Sequence, residues 1–263
     1  MRGENREALL AAALVEAADT LTDGFETGDH LRRVSDRCVE LLGARAAGFM
    51  LIEAGRPVSL AGSGGHCGLA LDLLRAQSGG GPCLDSYGTG RPVPPVPLGA
   101  AHTGSRWPVF TELALRHGVA ATFAVPVRGR GPLLGALNVF TPALPSDALP
   151  SAAHLTLAQN LADATALGLR NHHAYTHCRT LAAQLQQALS SRVRIEQAKG
   201  MLAERWNTTP DTAFLALRGH ARRHQLPLDT VARSVIERTE EGARLTGEGL
   251  NGPDGRGVGP DGL

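Results

Sequence analysis

The sequence predicts an α/β (α+β) domain built on a central antiparallel sheet, followed by a long helical linker and an all-α three-helix domain. Three observations carry this. Short β-type runs occur in two pairs, residues 46–52 with 58–61 and residues 121–127 with 133–140, set among helical patterns. From 151 to 205 there is hardly a helix breaker apart from Gly168 and Gly200. Two shorter helical patterns then start near Pro210 and Leu228 and give way to a glycine-rich end. At 263 residues and 43% hydrophobic, the chain has room for one large domain or two modest ones with packed cores.

Taken in order, Leu9, Leu10, Ala13, Leu14 and Ala17 return at helical spacing over residues 6–21, and a second amphipathic helix reads over 29–42. The run 46–52 meets 58–61 across the turn Glu53-Ala-Gly-Arg-Pro57, which reads as a hairpin. Residues 62–68 read as a loop. They miss the dinucleotide spacing GxGxxG because Cys67 stands where the third glycine belongs, so they give no phosphate cradle. A helix over 69–77 is followed by a short one in which Pro82 suits the first turn. The segment 92–97 carries four prolines that lack a ladder donor, so it is an edge strand or an extended loop.

Residues 107–117 form a helix stopped at Gly118, and the strands 121–127 and 133–140 are joined by the hairpin loop Arg128-Gly-Arg-Gly-Pro132. After a break over 142–150, Leu155, Leu161, Leu167, Leu181, Leu185, Leu189 and Ile195 recur at spacings of 6, 6, 14, 4, 4 and 6, each a sum of three- and four-residue helical steps. That stretch suits a long helix, or two helices, forming a homodimer seam, with Arg192 interrupting the heptad. Thr209 caps a helix that begins at Pro210 and runs to about His224, and a third helix runs from 228 or 229 to 240. Ile195, Leu202, Phe214, Leu217, Val231 and Val235 would close a small core, Phe214 being either core or a base-stacking ring. The expected divisions are an N-terminal helix over 1–24, a sheet domain over 25–150, a linker over 151–180, the helical domain over 181–241 and a disordered tail over 242–263.

Composition excludes more than it proposes. Net charge is +1, so any nucleic-acid affinity must come from local placement. Cys38, Cys67, Cys83 and Cys178 form no CxxC pair, which argues against a zinc site or a disulfide framework. His173 and His177 lie one helical turn apart beside His172 and Cys178, but no fourth ligand is placed, and a polar stripe is the plainer reading. No Walker loop, HExxH or GxSxG occurs, so no enzyme and no cofactor is expected. With neither a cleavable signal nor a membrane-length apolar stretch, the protein is expected in the cytoplasm.

The chain holds 26 basic residues, and all but Lys199 are arginine. Lys199 lies in Arg192-Val-Arg-Ile-Glu-Gln-Ala-Lys-Gly-Met-Leu202, and Pro-Asp-Thr-Ala-Phe-Leu-Ala-Leu-Arg follows at 210–218. With Ala221, Val231 and Ala232, these residues resemble the ANTAR domain, the three-helix RNA-binding output module of bacterial antitermination regulators. The phrases Gly81-Pro-Cys-Leu-Asp85, Thr89-Gly-Arg-Pro92, Arg106-Trp-Pro-Val-Phe110 and Leu134-Gly-Ala-Leu-Asn-Val139, with the element order, resemble a GAF sensor domain over about 25–170.

The resemblance implies a signal-responsive regulator whose output binds stem-loops in a nascent leader RNA. Arg192, Arg194, Ala198, Lys199, Gly200, Arg205, Arg218 and Arg222 are the expected RNA-binding residues. Trp206 is either a stacking platform or tucked against the second helix. Phe49, Trp107, Phe110 and Phe123 are the candidate lining of a sensor pocket for an unidentified small-molecule or protein signal. The alternative is a sensor whose helical output engages protein and no RNA.

Overall fold

The structure, a computed structural model, describes residues 2–22, 24–129, 131–142, 149–239 and 242. The chain divides into two compact units, Met1–Thr176 and His177–Leu263. The first contains α1 (Arg2–Ala18), α2 (Thr27–Leu42), β1 (Ala46–Glu53), β2 (Arg56–Gly62), α3 (Cys67–Arg75), α4 (Pro82–Thr89) and β3 (Val93–Pro97). It continues through α5 (Ala101–Arg106), α6 (Pro108–Arg116), β4 (Ala121–Val127), β5 (Gly135–Thr141) and the start of α7 (Ala152–Arg205). The five strands form one antiparallel sheet in the order β2-β1-β5-β4-β3. The proline-rich β3 takes the edge, where missing donors cost no ladder bond.

The central strands β1, β5 and β4 alternate between two covered faces. Phe49, Phe123, Val125, Leu137 and Val139 meet α1, α2 and α7 through Ala17, Leu31, Val34, Cys38, Leu161 and Ala162. Met50, Ala124, Ala136 and Phe140 point the other way, into Leu73, Leu74, Trp107 and Phe110 of the α3–α6 side. Every residue of β4 and β5 is buried, as expected of central strands covered on both faces.

Two of the phrases that carried the resemblance fasten to each other. Asp85 Oδ2 accepts from Arg106 Nη2 at 2.6 Å and from Trp107 Nε1 at 3.1 Å, and the Arg106 guanidinium lies 4.6 Å from the centre of the Trp107 ring. A tryptophan buried to 2% exposure needs a partner for its N–H, and Asp85 supplies it.

Sequence and structure differ in a few elements. The expected loop over 62–68 contains a 3-10 turn at Gly64–His66, and α3 starts at Cys67. Helix α5 was not anticipated, because Ala-His-Thr-Gly-Ser-Arg has no apolar period; its Thr103 Oγ1 donates to the Pro97 carbonyl and holds it in place. The stretch after Pro150 is one helix of 54 residues, not two. Part of the 142–150 break and all of the expected tail except Gly242 lie outside the described residues.

Candidate nucleic-acid interface

The second unit closes α7 against α8 (Pro210–Arg223) and α9 (Leu228–Glu237). Thr209 caps α8, its side-chain oxygen accepting from the Thr212 N–H at 3.2 Å, and Pro210 occupies the first turn. Ala198, Leu202, Ala213, Leu217, Ala221, Val231, Ala232 and Val235 form the core, with Ile195 and Trp206 packed against it. Trp206 is therefore tucked, its Nε1 buried. Phe214 is half-buried and stands outside that core.

The eight expected RNA-binding residues separate into distinct positions. Ala198 is fully buried, so its side chain lies in the core and not on a binding surface; it is small because helices cross there. Arg194 is committed to Asp229, with Nε to Oδ1 at 2.7 Å and Nη2 to Oδ2 at 2.9 Å, a bidentate clamp from α7 to the first turn of α9. The hydrogen bond from Arg194 holds the Asp229 carboxyl below its ordinary pKa and raises that of the guanidinium. Lys199 has a side chain only 21% exposed and pairs with Glu196 one turn back, Nζ to Oε2 at 2.5 Å.

Arg192, Gly200, Arg205, Arg218 and Arg222 are exposed. They do not share one face. At 3.6 residues per turn Lys199 and Arg205 lie about 120° apart around α7, on either side of the core stripe of Ile195, Ala198 and Leu202. Gly200 projects away from that stripe, and a Cβ built there would meet nothing within 4 Å.

Helix α8 adds Leu215 and Gly219 to the expected Arg218 and Arg222. Leu215, Arg218, Gly219 and Arg222 fall at i, i+3, i+4 and i+7 and share its outward face. Leu215 is 66% exposed, and a Cβ at Gly219 would again meet nothing within 4 Å. The signal was available: Leu215 is an apolar residue off the stripe of Ala213, Leu217 and Ala221. Between 192 and 238 nine basic residues face five acidic ones, a net +4, while the rest of the chain nets −3. The near-neutral total hides a basic output unit.

In the first unit the four candidate pocket aromatics do not converge. Phe49 and Phe123 belong to the core on one side of the sheet, Trp107 and Phe110 to the core on the other. All four are at most 2% exposed, so they are packing residues and not the lining of one shared pocket. The sheet itself stands between the two pairs, the strand residues Phe49 and Phe123 on one face and Trp107 and Phe110 of the α5–α6 segment on the other. Among the described residues no group of three or more His, Cys, Asp or Glu could hold a metal ion, and no helix is long and apolar enough to cross a membrane. His172 is drawn off the expected polar stripe: its Nδ1 lies 2.9 Å from the Thr20 carbonyl oxygen, and its ring lies against Phe25.

A sheet covered on both faces precedes a small basic helical bundle, and α7 runs through both units. The GAF-domain family matches residues 27–170, and the chain belongs to that family. The ANTAR domain matches residues 183–236, so a GAF sensor domain is followed by a C-terminal ANTAR domain, a regulatory output module. Among solved structures, the chain is similar to the GAF domain of a phosphoenolpyruvate-protein phosphotransferase from Coxiella burnetii, at 18% identity and a TM-score of 0.48, covering 67% of this chain and 99% of that one. It is also similar to the corresponding domain from Acinetobacter, at 16% identity and a TM-score of 0.45, covering 65% and 97%. No curated protein matches the chain.

Proposed function

We propose that the protein is a cytoplasmic, signal-responsive regulator of transcription antitermination, in which the ANTAR unit binds stem-loops of a nascent leader RNA under control of the GAF sensor. The observation that carries this is the outward face of α8, where Arg218 and Arg222 flank the open Gly219 beside an exposed Leu215. Cations placed one turn apart meet successive phosphates, an apolar side chain meets a splayed base, and an open glycine lets backbone come close. Arg192, Lys199, Gly200 and Arg205 extend the surface over α7, with Glu196 occupying Lys199 until a phosphate displaces it. Arg194 acts by holding α9 in place. Filter binding of a two-hairpin leader RNA against a scrambled RNA of equal length tests the reading: preference for the hairpins supports it, and equal retention refutes it.

The protein works, in this reading, as a homodimer joined through α7. Leu181, Leu185, Leu189 and Val193 are between 48% and 63% exposed on one stretch of that helix, more apolar surface than an isolated helix keeps in water. The same stripe favours the second reading, in which the helical output engages a protein partner and no RNA. Absence of RNA binding together with a stable complex through this stripe is the result that would select it.

A further inference from the structure

The first unit contains a cleft of about 700 Å³ at the rim of its cores, where the β1–β2 turn and the β4–β5 loop face α7. Its volume is that of a small-molecule site. Its body is aliphatic: Leu51, Ile52, Val58, Leu133, Leu134 and Leu169. Its polar groups are mostly donors. Arg170, His172 and His173 come from a single turn of α7 and Tyr87 from α4, and Glu53 is the one carboxylate.

Two of these side chains are anchored to the cleft's surroundings. The Arg170 guanidinium donates to the Pro132 carbonyl, fixing the β4–β5 wall to the helix, while its Nε is buried and has no hydrogen-bond partner among the described residues. With Nδ1 of His172 donating to the Thr20 carbonyl, Nε2 of the neutral ring is an acceptor, so His172 braces the wall and the donors left for a ligand are Arg170, His173 and Tyr87. A donor-rich end on an aliphatic body matches a ligand with an acceptor-only head and a hydrocarbon tail. One phenol ring and no facing aromatic pair make a poor seat for a nucleobase.

We infer that this cleft binds an aliphatic carboxylic acid, its carboxylate met by Arg170 and His173 of α7 and its tail lying over Leu51, Val58 and Leu134. The site lies within a few residues of Gly168, whose missing side chain lets α1 touch the α7 backbone. Occupancy is thus read by the helix that enters the output unit. The inference rests on the first unit being a sensor and not on RNA binding by the second, so failure of one leaves the other standing.

The test is calorimetric titration of the full chain with decanoate, beside methyl decanoate, which keeps the tail and loses the charge. Decanoate is expected to bind saturably at one site per chain, with the ester at least about tenfold weaker, as loss of a charge-assisted contact implies. Arg170→Gln should weaken decanoate about tenfold or more. If that variant does not fold, His173→Gln, an exposed position, should weaken it several-fold. Val58→Trp, which fills the tail end from the opposite wall, should abolish binding. No saturable heat below the aggregation threshold of decanoate, equal affinity for the ester, or unchanged affinity in Val58→Trp would each overturn the inference.

Discussion

Glycine occurs twice inside α7, and the same substitution is expected to act with opposite sign at the two positions. Replacing glycine by alanine within a helix is worth about 0.5–1 kcal/mol from backbone entropy alone, and this gain applies to both Gly168→Ala and Gly200→Ala. At 168 the new Cβ would stand 2.6 Å from the Ala17 carbonyl oxygen and 2.9 Å from Thr20 Cγ2. A backbone carbonyl cannot rotate away, so α1 must move, at an overpacking cost of about 1–3 kcal/mol.

That movement also strains the buried hydrogen bond from Thr20 Oγ1 to the Gly168 carbonyl, 2.6 Å long and worth about 0.5–1.5 kcal/mol. The clash wins, and the first unit should lose about 1–3 kcal/mol, a fall in Tm of about 2–10 °C. At 200 no atom lies within 4 Å, so nothing opposes the gain, and the second unit should melt about 2–8 °C higher. Differential scanning calorimetry on the full chain reads both. A Gly168→Ala protein as stable as wild type, or a destabilised Gly200→Ala protein, would refute the packing argument. Gly200→Ala should also bind hairpin RNA more weakly despite its added stability, because the added methyl stands on the surface proposed for close approach.

Other expectations follow from single contacts. Lys199→Ala should cost about 1–3 kcal/mol of hairpin affinity and lower the salt slope by about one, whereas Glu196→Gln, which frees the ammonium, should raise affinity; unchanged binding in both by filter assay removes Lys199 from the site. Arg194→Met should lower the melting temperature of the second unit while leaving the salt slope of RNA binding intact, and a slope reduced by one would return Arg194 to the phosphate contacts. Charged residues at Leu185 and Leu189 should shift the protein towards monomer in light scattering, and mild oxidation of wild type should link two copies through the exposed Cys178; a wild type that is monomeric at micromolar concentration rejects the dimer. Burial lowers the pKa of His30 from its ordinary 6.5, helped by Arg33, so the folded ring resists a proton that the unfolded chain accepts. Stability of the first unit should therefore be complete above about pH 6.5 and fall as pH drops through the lower folded value, and His30→Gln should flatten that dependence in pH-resolved melts.

Much of this protein is written locally. The β-type runs of residues 121–127 and 133–140, the prolines of β3 and the Thr209-Pro210 start of α8 fix their elements through contacts within a few residues, so local pattern reveals them. The bounds of β4 follow from the sequence as they stand in the structure. What the sequence could not decide is which side chain meets which partner across the fold. Arg194 and Arg192 look alike in the chain, but only Arg194 meets Asp229, 35 residues on. Ala198 and Gly200 flank the same lysine, yet one is in the core and the other faces outward, because the helix turns about 100° per residue and only the packed bundle sets which azimuth is inside. Likewise the four candidate aromatics are equivalent in sequence, and the sheet divides them between two cores. Local propensity and period are properties of the sequence; burial, pairing and accessibility arise only when distant segments close on one another.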